Sequence, residues 1–150
     1  MNSTKLISTL FKPRQAATAL YATQTEAIQA KVFKRLIKDA ANTEWGLEYS
    51  YKDIKSYQDY QRVPLQTYEE IKPYVERMRR GEKNVLWPGE VIWFAKSSGT
   101  TNDKSKFIPV SKEGLHDIHY AGGMDAVALY LQQNPDSRFF SGKGLILGGS

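Results

Sequence analysis

A chain of 150 residues with 41% hydrophobic and 25% charged residues has the composition of a folded globular domain, which argues against disorder. Because it has no cysteine, a disulfide framework, a thiolate metal site and a cysteine nucleophile are excluded. The net charge of +5 is spread along the chain, and its two densest basic clusters, at 31–38 and 77–80, are expected to be solvated helix faces rather than a nucleic-acid site.

No apolar run approaches the roughly 20 residues that a membrane span needs. The first 25 residues also lack the apolar core of a secretory signal. We therefore expect a cytoplasmic protein that binds neither membranes nor nucleic acid.

The first strong helical pattern follows an N-terminal extension at 1–22. Apolar residues recur at helical spacing over 23–41, with lysine and arginine between them, and predict an amphipathic helix. Further on, aromatic and aliphatic residues step by three as in a short helix or turn with one side inward: Tyr51, Ile54, Tyr57 and Tyr60. Core packing is also expected for Trp45, Trp87 and Trp93.

A second helix is predicted over 68–80. Thr67 is suited to its N-cap, acidic residues follow in the first turn, and Gly81 is suited to its end. The residues expected to face inward are Tyr68, Ile71, Val75 and Met78.

Two short runs of strand-forming residues come next, at 91–95 and 107–110, and Pro109 restricts the second to an edge, an end or a bulge. Ser111 is a plausible N-cap for a helix over 112–133, closed by Asn134-Pro135-Asp136. The predicted inner face of this helix is Leu115, Ile118, Met124, Val127, Ala128 and Leu131. An apolar strand is predicted at 145–147, and we expect the chain to stop inside a sheet whose other strands lie in further sequence.

Between the two predicted strands, residues 95–111 form a hairpin with the sequence AKSSGTTNDKSKFIPVS. Its first half supplies four hydroxyls, five backbone amides and a glycine, which are donors that a phosphate group requires. The spacing is that of neither a Walker A loop nor a dinucleotide fingerprint. A hairpin loop whose hydroxyls satisfy their own backbone remains an alternative on these residues alone.

The order of strand, S-S-G-T-T, turn and lysine-led strand resembles the phosphate-binding loop of adenylate-forming enzymes, with consensus [ST]-[ST]-G-[ST]-[ST]-x-G-x-x-K. Three further stretches are similar to the acyl-acid amido synthetases, the auxin-responsive promoter family, and suggest a bacterial-type member: NTEWGLEY at 42–49, VPLQTYEEIKPYVERMRRGE at 63–82 and GKGLILGG at 142–149. Order and spacing agree over about 25–150.

This resemblance implies an α/β fold, the N-terminal part of an adenylate-forming large domain, in which helices flank an incomplete sheet. It implies ATP and Mg²⁺ as cofactors, a carboxylic acid and an amine such as an amino acid as substrates, and amide synthesis through an acyl-adenylate. The implied phosphate-binding residues are Ser97, Ser98, Gly99, Thr100, Thr101, Asn102 and Lys106. The family pattern's second glycine falls at Asp103 here.

The same resemblance implies that later motifs and a C-terminal domain are absent, so the 150-residue chain alone is expected to be inactive and no catalytic residue is assigned. His116 and His119 are weaker candidates for contacting the acyl carboxylate, and no metal site is predicted. Two alternatives remain open: an acyl-CoA ligase, and a non-enzymatic basic module that binds RNA or another polyanion through 31–38 and 77–80.

Overall fold

The computed structural model describes residues 3–97 and 105–144, which are mostly helical with a small antiparallel sheet. The helices are α1 (Ser3–Leu10), α2 (Lys12–Thr23), α3 (Thr25–Ala40), α4 (Glu44–Glu48), α5 (Tyr57–Tyr60), α6 (Tyr68–Arg79) and α7 (Ala121–Gln133), with a π-helix at Gly114–Tyr120 and 3₁₀ turns at Tyr51–Asp53 and Phe139–Ser141. The strands are β1 (Trp93–Lys96) and β2 (Phe107–Val110). The predicted α/β class is confirmed, and the strand predicted at 145–147 lies outside the described residues.

The helices that were predicted from periodicity are confirmed in α3, α6 and the helical stretch that ends with α7. The N-terminal extension contains α1 and α2, for which no element was predicted. Among the described residues, no helix is both long enough and apolar enough to cross a bilayer.

Helix α6 begins and ends where its sequence predicts. The Glu70 carboxylate accepts hydrogen bonds from the Thr67 backbone N–H at 2.6 Å and from the Thr67 hydroxyl at 2.7 Å, which fixes the first turn. Gly81 ends the helix with a φ of +86°, a left-handed conformation that favours glycine. Its inner face is confirmed by Val75 and Met78, which are buried.

The chain divides into two compact units, and the unit of residues 26–115 contains the predicted hairpin. Its larger cluster of buried residues is Ile37, Ala40, Ala41, Tyr51 and Ile54, and its second cluster is Met78, Val85 and Val91. Trp87 packs against both clusters, so it joins them.

Several aromatic residues in this unit are less buried than predicted. Trp93 is 44% exposed, because a two-stranded sheet leaves one of its faces uncovered within this unit. Tyr57 and Tyr60 are exposed as well, although both rings lie edge-on to Phe33 at centroid distances of 6.5 and 5.8 Å. The prediction of core packing is therefore wrong for Trp93. Tyr57 and Tyr60 contact Phe33 but are not buried.

The other unit comprises residues 1–25 and 116–150. The Arg14 guanidinium forms two hydrogen bonds of 2.7 Å to the Asp125 carboxylate, and the Gln15 side chain donates to the Ala128 carbonyl at 3.0 Å. These contacts hold α2 against α7, where Ala128 and Leu131 are buried.

The predicted inner face of the helix at 112–133 is wrong at two positions. Ile118 is 72% exposed and Met124 is 46% exposed. The π-helix at Gly114–Tyr120 closes its hydrogen bonds over five residues rather than four, so a face extrapolated at the α-helical period rotates away from the buried side.

Candidate functional site

The candidate site is the hairpin, whose two strands bring both ends of the loop together. The Ser97 backbone N–H donates to the Lys106 carbonyl at 2.9 Å, and the Lys106 backbone N–H donates to the Ser97 hydroxyl oxygen at 2.9 Å. Ser97 and Lys106, both predicted site residues, thus continue the register of β1 and β2 by one pair toward the loop. The predicted phosphate ligands between them lie outside the described residues: Ser98, Gly99, Thr100, Thr101 and Asn102.

The register of the strands determines which backbone groups face outward. Ser97 and Lys106 are a hydrogen-bonded pair, so the next pair, Lys96 and Phe107, lies in the non-hydrogen-bonded position. By the same alternation Pro109, opposite Phe94, also points its backbone nitrogen away from β1. The missing N–H of Pro109 therefore removes no bond between the strands, which explains why proline is tolerated in β2.

The outward groups of Phe107 bind the side chain of Tyr68, the first residue of α6. The Phe107 N–H donates to the Tyr68 hydroxyl at 2.9 Å, and this hydroxyl lies 3.4 Å from the Phe107 carbonyl, to which it donates. One hydroxyl therefore satisfies both backbone groups of an edge-strand residue directly beside the loop. Tyr68 was predicted to face inward, but its tie to the hairpin has no signal in the sequence.

Two cations lie against aromatic rings at the base of the hairpin. The Lys106 ammonium is 5.4 Å from the centre of the Tyr68 ring, and the Arg79 guanidinium carbon is 3.6 Å from the centre of the Phe107 ring. Such cation–π contacts stabilise by about 0.5–1 kcal/mol at exposed sites. Residues at the two ends of α6, Tyr68 and Arg79, thus contact β2, and Tyr68 also contacts Lys106 where the loop ends.

The hydroxyl of Ser97 can form a second hydrogen bond, as a donor. It accepts a hydrogen bond from the Lys106 N–H, and a hydroxyl that accepts can also donate its own hydrogen. Ser97 can therefore hold the base of the hairpin together and still offer a donor.

The basic cluster at 77–80 is engaged within the protein. Arg77 donates to Glu44 at 2.8 Å and to Glu82 at 2.7 Å, and hydrogen bonding to this guanidinium holds the pKa of both carboxyl groups below its usual value. Arg79 donates to Glu76 at 3.0 Å in addition to its contact with Phe107. The prediction of a solvated basic face holds for Arg79 and Arg80, which are exposed, whereas Arg77 is half-buried and paired with two carboxylates.

The two histidines belong to the unit of residues 1–25 and 116–150 and lie on the π-helix. Both are exposed, and their rings lie 5.6 and 5.4 Å from the ring of Tyr120. The described residues contain no group of three or more histidine, aspartate or glutamate side chains that could hold a metal ion. A contact of His116 or His119 with a carboxylate substrate stays a prediction.

The loop hairpin and α6 lie within a match to a known family model. Residues 16–148 match the model of the GH3 family N-terminal domain. The chain belongs to the GH3 family.

Individual relatives in the GH3 family cover shorter parts of the chain. A jasmonoyl-L-amino acid synthetase, JAR6, from Nicotiana attenuata is 31% identical over 91 residues, which are 57% of this chain and 15% of the relative. An indole-3-acetic acid-amido synthetase, GH3.2, from Arabidopsis thaliana is 26% identical over 110 residues, 71% of this chain and 20% of the relative. A jasmonoyl-L-amino acid synthetase, GH3.5, from Oryza sativa subsp. japonica is 32% identical over 92 residues, 59% of this chain and 16% of the relative. The matched part of the chain thus spans a fifth or less of the length of these curated relatives.

Proposed function

We propose that this chain carries the phosphate-binding loop of an ATP-dependent acyl-acid amido synthetase. The observation that carries the proposal is the pairing of Ser97 with Lys106, which closes an S-S-G-T-T loop at its base in a member of the GH3 family. A loop whose two ends are hydrogen-bonded to each other loses less conformational entropy on binding a ligand than a loop whose ends are not joined. The hydrogen bond from the Phe107 N–H to the Tyr68 hydroxyl supports the same purpose, because it fixes β2 directly after Lys106.

The proposed reaction has two steps. A carboxylate oxygen attacks the α-phosphorus of ATP, the bond from that phosphorus to the bridging oxygen breaks, and pyrophosphate leaves. The nitrogen of an amine then attacks the acyl carbon, AMP leaves with the electron pair of the acyl–oxygen bond, and the amine loses a proton. Hydrogen-bond donors on the β- and γ-phosphates favour the first step, because they stabilise the charge that develops on the leaving pyrophosphate.

The residue types at the loop fit a triphosphate. Ser97, Ser98, Thr100 and Thr101 have hydroxyl donors, Gly99 permits close approach of the backbone, and Lys106 adds positive charge. Mg²⁺ would be held chiefly by the phosphate oxygens, as is usual for nucleotide sites. Asp103 stands where the family pattern has glycine, and its carboxylate would have to point away from the phosphates or toward the metal ion.

The relatives favour amide formation over the alternatives. The names of the matched synthetases describe a jasmonoyl-L-amino acid product and an amido product of indole-3-acetic acid, which favours an amine over coenzyme A as the acyl acceptor. Polyanion binding through the cluster at 77–80 is disfavoured because Arg77 and Arg79 are already paired with carboxylates. We therefore propose a small carboxylic acid and an amino acid as substrates.

The test is acid-dependent exchange of labelled pyrophosphate into ATP by the natural polypeptide that carries this chain, with a panel of aromatic and aliphatic carboxylic acids. We expect exchange with at least one acid, an amide product when amino acids are added, and a loss of at least about tenfold in Lys106→Ala. Lys96→Ala is the matched control, since this exposed lysine lies on β1 one residue before the loop pair. Absence of exchange with every acid, or equal activity of Lys106→Ala and the parent, would contradict the proposal.

A further inference from the structure

A trough runs between α3 and the segment of residues 51–57, within the unit of residues 26–115. It consists of two adjoining hollows of about 500 and 480 Å³ that share Phe33, Lys34 and Lys55. The floor of the first hollow is the outer surface of the larger core cluster, and Phe33 continues it into the second hollow. The cluster residues in this floor are Ile37, Ala41, Tyr51 and Ile54.

The rims of the trough carry positive charge on both sides. Lys34 and Lys38 line the α3 side, and Lys52 and Lys55 line the opposite side. All four are exposed, and within the described residues none of them forms an ion pair with a carboxylate. The Lys55 ammonium donates to the Lys52 carbonyl at 2.5 Å, which holds its charge at the rim.

Acidic residues are nearly absent from the lining. Glu26, at the far end of the second hollow, is the single acid among the residues that line the two hollows. An apolar floor between two uncompensated basic rims is complementary to a ligand with an apolar stripe between two acidic edges. That is the surface of an amphipathic acidic helix, which binds its apolar face into a groove through residues at i, i+3, i+4 and i+7.

The dimensions agree with a helical occupant. The α3 wall contributes lining residues from Glu26 to Lys38, a length of about 18 Å at the helical rise of 1.5 Å per residue. The trough is open along this length, unlike the closed cavities that bury most of a small ligand. Single-stranded nucleic acid stacks its bases on a series of accessible ring faces. In the trough Tyr57 is exposed, but Phe33 is packed edge-on against it and Tyr51 is buried.

We infer that this trough is a docking site for an acidic amphipathic helix of a partner protein. The inference is independent of the proposed amide synthesis, because it uses none of the loop residues. The rim lysines steer and orient the partner, and the apolar floor supplies the affinity that remains at high salt.

The test uses the 150-residue chain and a fluorescein-labelled synthetic peptide of about 16 residues, with leucine at i, i+3, i+4 and i+7 and glutamate on both flanks. Fluorescence anisotropy should give a Kd of about 10–100 µM, weakened at least about tenfold in the double variant Lys34→Glu/Lys52→Glu. The matched control is Lys12→Glu/Lys143→Glu, which makes the same change in net charge at two exposed lysines of the other unit. It should bind the peptide as the parent does.

Three results would overturn the inference. A peptide of the same composition in scrambled order could bind equally well, the control double variant could weaken binding as much as the trough variant, or the parent could fail to bind the peptide. A labelled oligouridylate that binds in its place, with the same dependence on Lys34 and Lys52, would assign the surface to nucleic acid. Circular dichroism melting of each variant confirms that the compared chains are folded, and Lys38→Gln with Lys55→Gln provides a milder second pair.

Discussion

At the scale of single residues, the Tyr68 hydroxyl decides how the hairpin meets α6. It is the partner of both the N–H and the carbonyl of Phe107, and its ring lies beside the Lys106 ammonium. Leaving a partly buried backbone N–H without a partner costs on the order of 1 kcal/mol or more. Tyr68 is therefore a positioning residue. It acts on the loop through β2, and we propose no contact between Tyr68 and a substrate.

Replacement of this hydroxyl gives the first prediction. Tyr68→Phe should lower the free energy of unfolding by about 1 kcal/mol and accelerate hydrogen exchange of the Phe107 amide, because that donor loses its acceptor. Thermal melting and amide exchange followed by NMR measure the two effects. Tyr57→Phe, at a tyrosine that is 64% exposed, is the matched control and should change neither. Equal exchange of the Phe107 amide in Tyr68→Phe and the parent would refute the tie.

A second residue-scale prediction concerns Arg77, which contacts Glu44 and Glu82. Hydrogen bonding to Arg77 lowers the pKa of both carboxyl groups from an ordinary value near 4.5. A lowered folded-state pKa adds stability above the unfolded-state value, and that stability is lost as the pH falls through the folded-state value. The difference in urea midpoint between the parent and Arg77→Gln should therefore be present at pH 6 and shrink below about pH 4.5.

The control for Arg77→Gln is a variant that removes a cation outside the network of Arg77, Glu44 and Glu82. Lys72→Gln is suitable, because within residues 3–97 and 105–144 Lys72 forms one ion pair, an exposed contact of 3.4 Å with Glu69. Its urea midpoint should follow that of the parent across the same pH range. A constant difference between Arg77→Gln and the parent from pH 6 to pH 3 would contradict the assignment.

At the scale of elements, α4 packs so closely against the end of α3 that its glycine has no room for a side chain. A Cβ on Gly46 would lie 2.0 Å from the Ala40 carbonyl oxygen. This approach allows the Glu44 and Trp45 N–H groups to donate to the Asn84 and Val85 carbonyls at 2.8 and 3.1 Å. The glycine in the NTEWG stretch is thus required by packing between backbones.

Two glycine substitutions test the close packing of α4 against α3. Gly46→Ala should destabilise by about 3 kcal/mol, because the backbone of α3 has to move. Gly122→Ala, in α7, should stabilise by about 0.5–1 kcal/mol, since no atom lies within 4 Å of its Cβ position and alanine favours the helix. Chemical denaturation measures both, and a Gly46→Ala variant as stable as the parent would show that the α3–α4 packing is not this close.

The sequence predicts an element's bounds where they depend on residues close together in the chain, and not where they depend on distant ones. The bounds of α6 follow from Thr67, Glu70 and Gly81, which act within one turn of themselves. The π-helix does not follow, because the spacing of its apolar residues does not distinguish hydrogen bonds closed over five residues from those closed over four, and it displaced Ile118 from the predicted inner face. At the site, Ser97 and Lys106 were predicted as ligands, but the Tyr68 tie spans 39 residues and depends on how α6 packs beside β2.

At the scale of the whole molecule, the chain divides into two units, and the base of the hairpin is built within one of them. Helix α6, Tyr68 and the Ser97–Lys106 pair form a frame that holds the loop whatever its ligand is. We propose nucleotide phosphate as that ligand. The proposed amide synthesis requires the loop to bind the phosphates of ATP.

The most direct test is calorimetric titration of MgATP into the natural polypeptide that carries this chain, into Thr100→Ala and Lys106→Ala, and into Lys96→Ala as the control. We predict that the parent and Lys96→Ala bind alike and that the other two variants bind at least about tenfold more weakly, since each loses a donor to a charged phosphate. Absence of binding by the parent, or equal affinities in all four proteins, would show that this hairpin is a structural turn and not a phosphate site.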